Sequence, residues 1–386
     1  MRTIAIFQYG WALQCHTINL ANIFLERSYK VHLFVFDCST NYIDKDNDIT
    51  KGVEVHYVEP DKPAFIVKVV DKIYYKLFNK WLFKKAINPN AISYSSKVLN
   101  GVENLTLLGV EKKGLAWAGI TNDKLNDLNT LIYYSLELYE TNPGWFGEFD
   151  FEESRKLEIK YHHKSQFTII QDYLRSVILF KYNKFPTSKI LKLPVSIRGN
   201  EDNTSKSNIS DGLNILYFGL IEKRRNILEI LESFSRINFK ANLRLHGPAH
   251  DSNFIVHIKN QFKSQNIEIT TNLLNEYEIT DLMKNIHIGI CFYSNDNIND
   301  RLTAFSSEKL ARYFKFGIPI ISFYNESYMM LMDNIKCGVL IHNYNELEFA
   351  VTEIVNNYDL YTRNAKLAYD KYYLFDNNID MMFNDL

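Results

Sequence analysis

The chain is poor in glycine and proline, with 15 and 8 in 386 residues, against usual shares of about 7% and 5%. That excludes a collagen-like fibre and a Pro/Gly-rich disordered segment. Cysteine is scarce too. Cys15, Cys38, Cys291 and Cys337 lie far apart and none is in a C-x-x-C pair. This argues against a disulfide scaffold, a cysteine zinc site and a dithiol redox motif, and reduced thiols are expected. No run of about 18 apolar residues exists, so no membrane-spanning helix is expected. The opening run Thr3-Ile4-Ala5-Ile6-Phe7 is too short for the apolar region of a signal peptide, and a cytoplasmic location is expected. The formal net charge is −1, so no global basic field attracts nucleic acid. The sequence does hold 46% hydrophobic residues, 14% of all residues being aromatic. At about 150 residues per domain, the length predicts two or three domains, each with a substantial core.

Short apolar runs alternate with helical patterns, which predicts an α/β protein with parallel sheets. Strands are expected at 3–7, 30–36, 53–57, 105–109, 131–134 and 167–170. A helix bearing Leu20, Ile23 and Phe24 on one face lies between the first two. This strand-loop-helix-strand start is Rossmann-like, without the G-x-G-x-x-G fingerprint. Residues 198–212 are polar and turn-rich and read as a linker. The rhythm restarts at Leu213, with strands expected at 213–219, 241–245, 267–269, 286–290 and 318–322 and a helix at 227–234. The reading is therefore a first domain over 1–197, a linker over 198–212, a second domain over 213–364 and a terminal helix over 365–386.

Four segments carry a resemblance. In the run from Ser306 to Ile321, Ser307, Lys309, Leu310, Tyr313, Phe314, Gly317 and Pro319 follow the pattern S-x-K-hydrophobic-x-x-Y-hydrophobic-x-x-G-x-P. This resembles the donor-binding helix and following strand of GT-B glycosyltransferases related to family 4. Tyr217 to Asn226 is similar to the family's glycine loop with a trailing basic residue. Leu243 to Pro248 is similar to the strand and glycine turn that follow. Leu131 to Tyr139 resembles a segment of the first domain. The resemblance implies the GT-B architecture, two Rossmann-like domains facing each other across a cleft, with the last helix crossing back to the first domain. One feature departs from the pattern. Many members carry two glutamates eight positions apart, and those positions here are Ala304 and Arg312.

The resemblance further implies transfer of a sugar from a UDP- or GDP-linked donor, with no cofactor and no metal. The acceptor would be a saccharide or a lipid-linked saccharide of a cell-surface polysaccharide or glycoconjugate. Such a reaction must stabilise a departing diphosphate. Ser306 and Ser307 read as N-caps of the following helix, whose first turn would form an anion site. Lys309, Arg225 and Arg224 are the cations expected on the diphosphate. Gly219 and Gly247, at strand ends, suit close backbone approach to a ligand or a tight turn. Glu308 and His246 are candidates for the donor sugar or nucleotide, and the loop 293–301 for its border. In the first domain, His16 and Glu137 are candidates for acceptor positioning or general-base work. His162-His163 lacks companions at metal-ligand spacing. Each of these has a plain structural alternative: a cap, a solvated cation cluster, a turn, a core histidine.

The neutral total conceals one basic stripe. Residues 61–88 hold seven lysines against two aspartates, a net of +5, and Lys68, Lys72, Lys76, Lys80 and Lys84 recur at every fourth position. Trp81 and neighbouring aliphatic and aromatic residues occupy other positions. The spacing predicts an amphipathic helix that lies on an anionic membrane, peripheral to its inner face, or packs on the core with a solvated lysine side. Two other functions fit the same sequence: a GT-B sugar-nucleotide epimerase, and a binding subunit that keeps the fold without catalysis.

Overall fold

The computed structural model describes residues 1–10, 15–36, 49–59, 86–138, 151–199, 209, 212–238, 240–263, 266–294 and 296–385. The chain divides into two compact units, Met1–Lys192 with 385–386, and Leu193–Asn384.

The first unit is built on seven described strands: β1 (Thr3–Tyr9), β2 (Lys30–Phe36), β3 (Glu54–Val58), β4 (Leu105–Val110), β5 (Thr130–Tyr134), β6 (Phe167–Ile170) and β7 (Lys189–Lys192). They are all parallel, in the order β3-β2-β1-β4-β5-β6-β7. Ile4 to Phe7 and Val31 to Phe34 are almost fully buried. Unbroken burial of this kind is what helices on both faces of a parallel sheet impose, so these strands are apolar throughout rather than alternating.

The second unit contains β8 (Leu213–Phe218), β9 (Ala241–His246), β10 (Ile267–Thr270), β11 (Ile288–Cys291), β12 (Ile320–Phe323) and β13 (Gly338–Ile341). These are also parallel, in the order β10-β9-β8-β11-β12-β13. Its helices follow their apolar spacing. In Ile227–Phe234 the buried residues Ile227, Ile230, Leu231 and Phe234 form one stripe on the core. Each such side chain contributes about 1.5–3 kcal/mol when fully buried.

The expected strands are present, most with ends shifted by one or two residues. Two further strands, β7 and β13, were not predicted. The sequence also places the domain boundary after residue 197, whereas residues 193–197 pack within the second unit. There Val195 N donates to Phe305 O (2.9 Å), Ile197 N donates to Tyr373 O (3.2 Å), and Ile197 bridges Leu374. The last helix, Phe375–Asp385, is tied to the same stretch, with Asn378 Nδ2 donating to Ser196 Oγ at 2.8 Å.

Candidate functional site

In an open parallel sheet, ligands gather at the carboxyl ends of the strands where the strand order reverses. In the second unit that point lies between β8 and β11. β8 runs out into Phe218-Gly219, and β11 runs out through Phe292 into Tyr293. Gly219 and Gly247 have φ of +151° and +152°, a region that favours glycine. A Cβ on Gly247 would collide with the Gly219 carbonyl, while Gly219 N donates to His246 O at 2.9 Å. The two turns therefore pack backbone on backbone, and Gly247 serves that packing. Gly219 borders Lys309, whose Nζ would lie 3.3 Å from a Cβ placed there.

Lys309 sits in the first turn of the Glu308–Lys315 helix. Four residues on, Tyr313 fixes that helix to the end of β8, its hydroxyl donating to Leu216 O (2.9 Å) and accepting from Phe218 N (3.0 Å). The Lys309 ammonium lies over two aromatic faces, 4.3 Å from the Tyr293 ring centre and 5.1 Å from that of Tyr217. Among the described residues it makes no ion pair. Arg225 flanks the same ring, its guanidinium 5.5 Å from the Tyr293 centre. It is held there by Asp300, with Nη1 donating to Oδ1 at 2.7 Å. Burial opposes its charge, but Asp300 outweighs burial and holds the group above its ordinary value. Burial pushes the Tyr293 phenol up, so it stays neutral, and its hydroxyl shares a 2.9 Å hydrogen bond with Ser307 Oγ. Two cations rest here against neutral aromatic faces, an arrangement chemically suited to attracting an anion.

The two serines act differently from expectation. Ser307 stands at the N-cap position but makes no side-chain hydrogen bond to the first turn, since its hydroxyl is engaged with Tyr293. The Ser306 hydroxyl donates to Leu302 O at 3.0 Å. Glu308 accepts from Arg312 Nε (3.0 Å) and Nη2 (2.6 Å), an i,i+4 ion pair along the helix. Arg312 in turn forks onto both oxygens of Glu276 at 2.8 Å. So Arg312, at a position where many family members carry glutamate, is committed to carboxylates. Ala304, at the other such position, is fully buried. His246 is 3% exposed, stacks on Phe218 at 5.8 Å and bonds Thr270 Oγ1 through Nδ1 at 2.6 Å. Burial lowers its pKa. Those contacts are those of a core histidine. Arg224 is paired with Glu222 on the exposed side of the loop.

In the first unit, His16 lies on the helix Cys15–Glu26 and Glu137 follows β5. Glu137 is exposed, but its backbone is framed. Glu111, at the end of β4 with φ of +62°, accepts from Leu136 N (2.6 Å) and Glu137 N (2.9 Å). Gln171 Nε2 donates to Ser135 O at 2.7 Å, and Arg175 donates to Leu136 O. The lysine stripe, with Lys68, Lys72, Lys76, Lys80, Trp81 and Lys84, falls outside the described residues. Among the described residues no helix is long and apolar enough to cross a membrane.

Of the predicted residues, the fold gathers Arg225, Ser307 and Lys309 around Tyr293 and sets Gly219 beside Lys309. It assigns Glu308 to Arg312, and His246 and Gly247 to packing. Tyr217, and the specific roles of Tyr293 and Asp300, were missed; the only signal was their place in the glycine loop and in the loop 293–301. A cavity of about 620 Å³ lies at the opposite, amino ends of β8, β9 and β10, lined by Asn214, Arg244 and Glu268 among others. Its arginine is already paired, Arg244 with Glu268 at 3.2 Å, so the switch point is the stronger site.

No family model matches the chain, and no curated protein matches it. Solved structures do. HepE of Anabaena in complex with UDP and glucose aligns over 100% of both chains, at 9% identity and a TM-score of 0.67. Another structure of HepE contains UDP-glucose. Sucrose-phosphate synthase from Thermosynechococcus elongatus matches over 100% of this chain and 98% of its own, at 10% identity and a TM-score of 0.70. WaaG, a glycosyltransferase involved in lipopolysaccharide biosynthesis, matches over 98% of each chain, at 11% identity and a TM-score of 0.62. At such identities the likeness is one of fold: the two parallel α/β units of this chain have the GT-B fold that these glycosyltransferases share.

Proposed function

We propose that the protein is a glycosyltransferase that moves a sugar from a nucleotide-sugar donor to a saccharide or lipid-linked acceptor, in assembly of a cell-surface polysaccharide or glycoconjugate. The observation that carries this reading is Lys309, an ammonium on two tyrosine faces at the switch point of the second unit, with Arg225 beside it. A diphosphate there would meet two cations without either being withdrawn from its carboxylate-free or carboxylate-braced position. The fold neighbour HepE, which binds UDP and UDP-glucose, supports the nucleotide side of the reading.

As the bond between the sugar's anomeric carbon and the diphosphate breaks, negative charge grows on the leaving oxygen. Lys309 and Arg225 would stabilise it from fixed positions. An interaction of this type is worth about 3–4 kcal/mol in the transition state. Asp300 and the Tyr293 face hold the guanidinium in place and lower the cost of reorganisation. No metal is required by this scheme. The first unit would bind the acceptor, with Glu137 and His16 as the groups to receive its proton if the reaction inverts the anomeric centre. The stripe 61–88 would hold the protein on an anionic membrane surface.

The test is a thermal-shift panel of UDP, GDP and their sugars on the full chain. A nucleoside diphosphate at a hundred times its Kd stabilises the native state by about 2.7 kcal/mol, and one of the two bases should do so. No shift with any nucleotide overturns the proposal. A second reading, a binding subunit without catalysis, is favoured by Ala304 and Arg312. It predicts a shift with nucleotide but no hydrolysis or transfer of the sugar.

A further inference from the structure

A second cluster lies in the first unit, on residues that the glycosyl-transfer reading does not use. His32 is in β2, and Glu54 and His56 are in the neighbouring strand β3, the edge of the described sheet. In the parallel register His32 is paired with Glu54 and Phe34 with His56. Alternate residues of a strand share a face, so Glu54 and His56 project together on the side of His32. His32 Nδ1 lies 3.0 Å from His56 Nε2 and 3.1 Å from Glu54 Oε2. The three atoms all fall within 4.8 Å of one another.

We infer that His32 Nδ1, His56 Nε2 and Glu54 Oε2 form a binding site for a divalent transition metal of the zinc type. A tetrahedral zinc with bonds of about 2.0–2.1 Å sets its nitrogen ligands about 3.3 Å apart, close to the separation found. Two imidazoles and one carboxylate are a common zinc donor set and leave a fourth position for water. Glu54 is about half exposed, which provides a path for the ion and that water.

The surroundings supply outer partners for two of the three ligands. A ligating histidine usually has its other ring nitrogen hydrogen-bonded, and a ligating carboxylate its other oxygen. His56 Nδ1 lies 3.1 Å from the Tyr94 hydroxyl, and Glu54 Oε1 lies 3.1 Å from Lys30 Nζ. The His56 ring is fixed by stacking on Phe34 at 4.5 Å and 15°. His32 is 3% exposed, and its Nε2 is buried with no hydrogen-bond partner among the described residues, so its polar coupling to them runs through Nδ1. One proton on Nδ1 must be shared between Glu54 and His56, whereas a metal ion accepts a lone pair from all three ligands. Burial keeps both imidazoles below their ordinary pKa, which favours the neutral form that binds metals. The ion would pin the edge strand β3 to β2 and, through Tyr94, to the helix Pro89–Leu99. It lies in a different unit from Lys309 and Arg225 and serves no step of transfer.

The test is titration of the chelator-treated full chain with zinc chloride, followed by calorimetry, with cobalt absorption as a second readout. One zinc per chain is expected in the wild type. His56→Asn should abolish it. Tyr94→Phe should keep the stoichiometry and weaken binding about 10- to 100-fold, as loss of an outer partner does. His163→Asn should bind like the wild type. Circular dichroism checks that each variant is folded. No zinc bound by the wild type, or equal binding by folded His56→Asn, overturns the inference.

Discussion

The two units share one scaffold and differ in the charged groups that their described residues place at the same point of it. In each, the first strand of the unit sits between its second strand and its fourth, and the chain order reverses there. In the second unit the strand ends at that point present Gly219, Lys309 and Arg225, cations resting on Tyr217 and Tyr293. In the first unit, β4 is followed by Glu111, a carboxylate turned onto the amides of Leu136 and Glu137, and Lys113 lies over the Tyr9 ring at 5.5 Å. The topology made a ligand position available twice. The side chains at the two points differ, and the anion role belongs to the proposal for the second unit, since fold alone does not give function.

That contrast can be broken at its strongest point first. Lys309→Ala removes the ammonium and should lower turnover about 10²- to 10³-fold, while unfolding of the first unit stays unchanged. Initial rates with the nucleotide sugar found in the thermal-shift panel would show it, and near-wild-type turnover would refute the phosphate role. A smaller effect comes from acidity. In the first unit, burial lowers the pKa of His162 to about 3, and its Nδ1 faces the Asn183 amide donor at 2.8 Å. Its ordinary value is about 6.5. The unfolded chain therefore takes up a proton that the folded one refuses. Stability is complete above about pH 6.5 and falls by up to about 1.4 kcal/mol per pH unit below it. Trp117 is fully buried in the first unit, and all four tryptophans of the sequence precede Leu193, so fluorescence in urea at pH 7 and pH 5 follows the unfolding around Trp117. His162→Gln should reduce the dependence, leaving the part due to His32 and His56, and an unchanged pH slope in that variant would count against it. The smallest effect is expected from Glu111→Gln. It weakens two charge-assisted hydrogen bonds without removing the acceptor oxygen and should cost about 1 kcal/mol in the same fluorescence assay, with nucleotide binding by the second unit unaltered.

How far the sequence could be read depended on what each residue's signal was. β1 and β8 were legible because their apolar runs are buried throughout and bounded by turns. β7, Lys-Ile-Leu-Lys, exposes all but Leu191, so as an edge strand it lacks the apolar run that identifies an inner one. β13 begins at Gly338, whose missing Cβ admits the Ile320 carbonyl, and a glycine start reads as a turn. At the site, Arg225 and Lys309 were legible from their spacing within the family pattern. Tyr217 and Tyr293 were not, because two cation-bearing rings are hidden among 25 tyrosines and 26 phenylalanines. The His32, Glu54 and His56 cluster was missed for a different reason. Its members are 22 and 2 residues apart, and only strand pairing brings them together.

The sequence by itself determined the alternating α/β plan, the restart at Leu213 and the basic character of the loop after Gly219. These follow from local periodicity, since burial of a strand or a helix face is written in neighbouring residues. Only the tertiary structure decided which charges remain available. Arg312 is claimed by Glu276, 36 residues away, and Arg225 by Asp300, 75 residues away, whereas Lys309, among the described residues, meets aromatic faces and no carboxylate. Ion pairing depends on which side chains approach within about 4 Å, and sequence separation has no bearing on that distance.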